Sequence, residues 1–93
     1  MNHTLRSSGY TASVYDFVEA DTTGGTFIVL LPPLATCSPD ERVTVKIVNG
    51  ANPLTVDGSG GDLVDSGGSY TLTVLKESAN FVANHDLSDW LVT

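Results

Sequence analysis

TGGTFIVLLPP, residues Thr23 to Pro33, runs from a glycine pair through Phe27, Ile28, Val29, Leu30 and Leu31 into two prolines. A strand covering one side of a core needs an apolar residue only at every second position, because side chains alternate across a sheet. Here both alternating sets are apolar. The pattern predicts a strand over Thr26–Leu31 with two buried faces. Phe27, Val29 and Leu31 fill the protomer core while Ile28 and Leu30 meet something else, or the assignment is reversed. Pro32 and Pro33 stop the strand, since neither has an N–H to donate and both fix φ.

Working outward, Val14–Ala20 alternates Val14, Asp16, Val18 and Ala20 with Tyr15, Phe17 and Glu19, which reads as a preceding strand, and Asp21–Gly25 as the turn between them. Arg42–Val48 reads as a half-solvated strand with Val43, Val45 and Ile47 on one face. Asn49-Gly50 is a tight-turn signal, because both residues tolerate positive φ, and it predicts a hairpin into a short strand at Leu54–Val56. Glycine pairs in Asp57–Ser69 leave room only for a tiny strand at Leu63-Val64. Further strands are predicted at Tyr70–Val74, at Ala79–Ala83 and, after a polar turn over Asn84–Asp89, at Trp90–Thr93. Strands at this spacing, with turn signals between them, predict an all-β fold, a compact antiparallel β-sandwich or barrel-like domain over residues 14–93. Met1–Ser13 shows neither strand nor helix periodicity and reads as an N-terminal arm.

Ninety-three residues suit one domain with a modest core. Four basic against 11 acidic side chains, a formal net charge of -7, argue against a nucleic-acid ligand, whose affinity comes from Lys and Arg. The longest apolar run falls far short of the roughly 18 to 20 residues that span a bilayer, so no membrane partner is expected. Met-Asn-His-Thr-Leu-Arg lacks the apolar segment of a signal peptide, which predicts maturation in a cytoplasm.

The chemistry-bearing residues support no catalytic reading. Most carboxylates fall at turn positions, at Asp21, Asp40, Asp57, Asp62, Asp65, Asp86 and Asp89, where Asp bonds to its local backbone. Asp57, Asp62 and Asp65 on a Gly-rich loop invite a Ca²⁺ reading, but a single copy of such a fragment is weaker than turn chemistry. His3 and His85 have no spaced Cys or His to complete a zinc set, so no cofactor or metal is expected. Cys37 has no partner for an internal disulfide and reads as a small semi-buried thiol. Tyr10, Tyr15, Tyr70 and Trp90 offer a platform for a cell-surface glycan, against the plainer reading of packing anchors.

The order of motifs carries a resemblance. A Gly-Gly start, a strand ending in Leu31-Pro32, the Val43–Val48 strand and Leu54–Gly58 come first. Asp62–Val64, Tyr70–Val74 and the closing Trp90 follow. Together they resemble the small β domain of tailed-phage fibre and spike proteins and of capsid decoration, or head-fibre, proteins. Pro39-Asp40-Glu41 stands where the family usually has Gly, and His85–Asp89 replaces a Gly-rich turn. The resemblance implies a non-enzymatic homotrimer in the virion, assembled in the host cytoplasm, and a trimer supplies the second buried face because a symmetric interface covers it. On that reading Ile28, Leu30, Tyr15 and Phe17 form the trimer interface. Asn2, His3, Leu5, Arg6 and Tyr10 of the arm dock on the major capsid protein. A chain running from Met1 to its closing strand leaves no room for a shaft or receptor tip, which favours capsid decoration over a tail-fibre or baseplate component of the same fold.

Overall fold

The computed structural model describes residues 2–38, 40–84 and 89–93. Among these residues ten strands form two sheets: β1 (Asn2–Arg6), β2 (Tyr10–Thr11), β3 (Asp16–Asp21), β4 (Phe27–Leu30), β5 (Arg42–Asn49), β6 (Leu54–Asp57), β7 (Leu63–Val64), β8 (Ser69–Leu72), β9 (Ser78–Asn84) and β10 (Asp89–Val92). The larger sheet has the order β1-β3-β5-β9-β10-β7 and the smaller β2-β4-β6-β8. From β1 to β9 each successive strand therefore lies in the other sheet.

That alternation decides strand direction. A chain that crosses the core at each corner returns to a sheet running the same way, so β1, β3 and β5 pair in parallel, as do β2, β4 and β6. Among the described residues antiparallel pairing between strands is confined to β5–β9, β6–β8 and β9–β10, with one isolated antiparallel bridge at Val64–Gly67. The fold is all-β as expected, but the sheets are mixed and not antiparallel.

The corners stack on one another. Thr22 N–H donates to the Asn49 carbonyl at 2.9 Å and the Asn52 amide donates to the Thr22 carbonyl at 2.6 Å. Gly50, at φ 89°, lies so close to the backbone of Thr22 and Thr23 that a Cβ there would overlap Thr23 N. At the opposite end Ala12 N–H donates to Leu30 O and Leu31 N–H to Asp57 O, both at 2.8 Å. Asn49-Gly50 is thus a corner between the sheets, and the hairpin expected there does not form.

The core is one layer of side chains between the sheets. Val18, Val29, Leu31, Val43, Val45, Leu54, Val56, Leu72, Phe81 and Trp90 are all fully buried. Phe27 and Tyr70 pack against this cluster, and Tyr70 meets Phe81 edge to face with ring centroids 5.9 Å apart. Within the segment read as an N-terminal arm, residues 2–11 carry two strands: β1 pairs with β3 along its whole length and β2 with Val29 and Leu30 of β4. Hydrogen bonding, not burial, makes these strands, which is why hydrophobic periodicity missed them.

Candidate functional site

The run over Phe27–Leu30 has one buried and one open face. Val29 and Leu31 are fully buried, whereas Ile28 is 50% and Leu30 36% exposed. Ladder partners share a face, so Ile28 lies beside Thr55, and Leu30 between Thr11 and Asp57. On the far side of β6, Thr55 and Asp57 neighbour Thr71 and Ser69 of β8. The outer face of the smaller sheet is therefore two aliphatic side chains among hydroxyls and one carboxylate. Here the structure holds a shallow groove of about 350 Å³ lined by Gly9, Tyr10, Thr11, Ile28, Leu30 and Asp57.

A polar cluster fixes one wall of that groove. The Asp16 side chain is 3% exposed and sits at an inward-facing position beside Val18. A buried carboxylate needs donors. The Tyr10 hydroxyl and the Ser13 N–H both donate to Asp16 Oδ2 at 2.8 Å. Burial, and then the bond to Asp16, push the Tyr10 phenol above its ordinary range. The Arg6 guanidinium lies over the Tyr10 ring, 4.1 Å from its centroid, a cation–π contact that ties β1 to β2.

The residues expected at a trimer interface are divided by the fold. Phe17 lies on the outer face of the larger sheet, where the His3 ring meets it edge to face at 5.4 Å and His3 Nε2 reaches Glu19 Oε1 at 2.7 Å. Leu5, 62% exposed, pairs with Glu19 on the same face. Tyr15 precedes β3 in a turn at φ 63°. Ile28 and Leu30 belong to the opposite side of the sandwich. The expected docking residues divide too: His3 and Leu5 join Phe17, Tyr10 lines the groove with Arg6 stacked over its ring, and Asn2 heads β1. The set that the structure brings together is Tyr10, Ile28 and Leu30.

The remaining candidates resolve into structural roles. Asp57 accepts Gly58 N–H at 2.8 Å, and Asp62 accepts Leu34 N–H at 2.9 Å. Asp65 and Ser66, at φ 51° and 65°, form the two-residue reversal that closes Val64 onto Gly67. Among the described residues no three His, Cys, Asp or Glu side chains gather as a metal set, Asp57, Asp62 and Asp65 included. Asp89, expected in a turn, begins β10 at 3% exposure and accepts the Ser66 N–H at 3.0 Å. Trp90 is fully buried, so it is no part of a glycan platform, and its indole N–H has no partner among the described residues. Cys37 is buried and donates weakly to Pro33 O at 3.4 Å, and burial pushes its thiol up. His85 lies outside the described residues. Among the described residues no helix is long and apolar enough to cross a membrane.

No family model matches the chain, and no curated protein does. Eight solved chains match it in structure. One, described as "Structure of a chaperone-substrate complex", superposes with a TM-score of 0.64 at 12% identity. The match covers 95% of this chain and 14% of that one. At that identity the likeness concerns the fold alone.

Proposed function

We propose that the chain is a non-enzymatic structural component of a tailed-phage virion, a homotrimeric capsid decoration or head-fibre protein that sits on the major capsid protein. The observation that carries the reading is the open outer face of the smaller sheet. Ile28 and Leu30 stand there half and one-third exposed on a strand whose other face carries the fully buried Val29 and the partly buried Phe27. Apolar side chains set in a groove of hydroxyls favour a protein contact over solvent. The motif order from the Leu31-Pro32 strand end to Trp90 supports the phage assignment, and the net charge of -7 suits a surface that must keep particles apart.

A tail-fibre or baseplate component of the same fold is the second reading. Light scattering of the purified protein and cryo-EM of the particle test the proposal together. A mass of three chains with density on capsids is the expected result. Monomers at high concentration, with no density on capsids, overturn it, and density on the tail alone favours the second reading.

A further inference from the structure

The first two strands form a strap closed by a strained hinge, and we propose that this strap, residues 2–11, is exchanged between copies, each chain's β1 and β2 completing the sheet edges of the next. This rests on the trimer reading above and names the element that links the copies.

β1 is the edge strand of the larger sheet and β2 that of the smaller, so the strap covers the free edges of β3 and β4 together. Its attachment is a set of ladder bonds and the Tyr10–Asp16 hydrogen bond. Each of these transfers unchanged to an identical neighbour, which is the condition for a swap at little energetic cost.

The link between strap and body supplies the bias. Ala12–Tyr15 connects β2 to β3 through a tight reversal in which Asp16 N–H donates to Ser13 O at 3.1 Å. Within it Tyr15 adopts φ 63°. Among the described residues the other non-glycine positions at positive φ are three Asp or Ser and one Lys, in surface turns, and Tyr15 is the aromatic among them. A bulky side chain in the left-handed region is strained, and a short strained hinge favours the open, exchanged form, in which the same residues extend. Four extended residues span about 13 Å, a reach that suffices if the neighbour docks at this corner. The groove supplies that contact, since Tyr10 belongs both to the strap and to the groove wall.

Cross-linking tests the exchange. Leu5 and Glu19 are register partners on the outer face, at a spacing that a disulfide or a short bis-maleimide spans. The triple variant Leu5→Cys, Glu19→Cys, Cys37→Ser is assembled, its mass checked by light scattering, then bridged and run on a denaturing gel without reductant. Exchange gives covalent dimers and trimers, and adding Tyr15→Gly lowers their yield several-fold. Particles with the mass of three chains that yield only internally bridged monomers overturn the exchange and leave the trimer standing. A Tyr15→Gly yield equal to the parent's overturns the hinge as its cause. Monomers by light scattering at every concentration overturn the trimer reading and the exchange together.

Discussion

Ile28 and Val29 are adjacent in the chain but project to opposite faces of β4, so the same substitution at each separates assembly from folding. Fully burying an Ile or Leu side chain is worth about 2 kcal/mol. With half of Ile28 and a third of Leu30 still exposed, covering the remainder adds about 1 and about 0.7 kcal/mol per chain, or roughly 5 kcal/mol over a trimer. Ile28→Asp removes about 3 kcal/mol of this and sets three unpaired carboxylates into the contact. The assembly constant is expected to fall by about a hundredfold or more. Folding stability should move by no more than about 1 kcal/mol, because the site is on the surface. Val29→Asp places a charge in the core and should cost about 4 kcal/mol or more, enough to unfold a small domain. Light scattering over a dilution series reads assembly, and urea melts followed by circular dichroism read folding. An Ile28→Asp protein that keeps the parent's mass at every dilution refutes the assignment of this face, and one that unfolds like Val29→Asp refutes the separation of the two faces.

Trp90→Ala empties the largest fully buried position and should cost about 3 to 5 kcal/mol, seen as a lower urea midpoint, so loss of any glycan signal in that variant reports unfolding. Cys37 should resist a thiol reagent at pH 8 in the folded protein and react at once in guanidinium, since the buried thiol titrates above its ordinary 9.0; equal rates in both conditions count against its burial. Asp21 accepts the Thr23 N–H at 3.0 Å, and hydrogen bonds to Thr23 hold its carboxyl below 3.8. That contribution is complete above the unfolded value and is lost as pH falls through the lower folded one. An NMR titration should therefore place its midpoint below 3.8, and Asp21→Asn should flatten the acid limb of stability.

Alternation along the chain made the faces of β4 and β5 legible, because inward and outward positions follow a period of two whatever lies next door. The same period says nothing about which strand pairs with which. Asn49-Gly50 has the residues of a hairpin, and only the packing of Gly50 against Thr22 and Thr23 makes it a corner. β1 escaped notice because Asn2–Arg6 carries one large aliphatic residue, Leu5, and owes its order to the edge of β3. Asp16 did leave a trace, as an acid at an inward position beside Val18 and Ala20. Such a residue demands a donor, and Tyr10 was within reach six positions earlier.

The crossing of the chain between sheets at each step from β1 to β9 has a kinetic consequence. Among the described strands, only β9 and β10 are both consecutive and paired, so the first strands made have no sequence neighbour to fold against. β5, near the middle of the larger sheet, waits for β9, and β7 waits for β10. Loop closure must precede nearly every ladder, which slows folding. A growing chain holds TFIVLL without its β6 partner until Leu54–Asp57 emerges, and for that interval the segment is an aggregation hazard that Pro32 and Pro33 limit by cutting the run short.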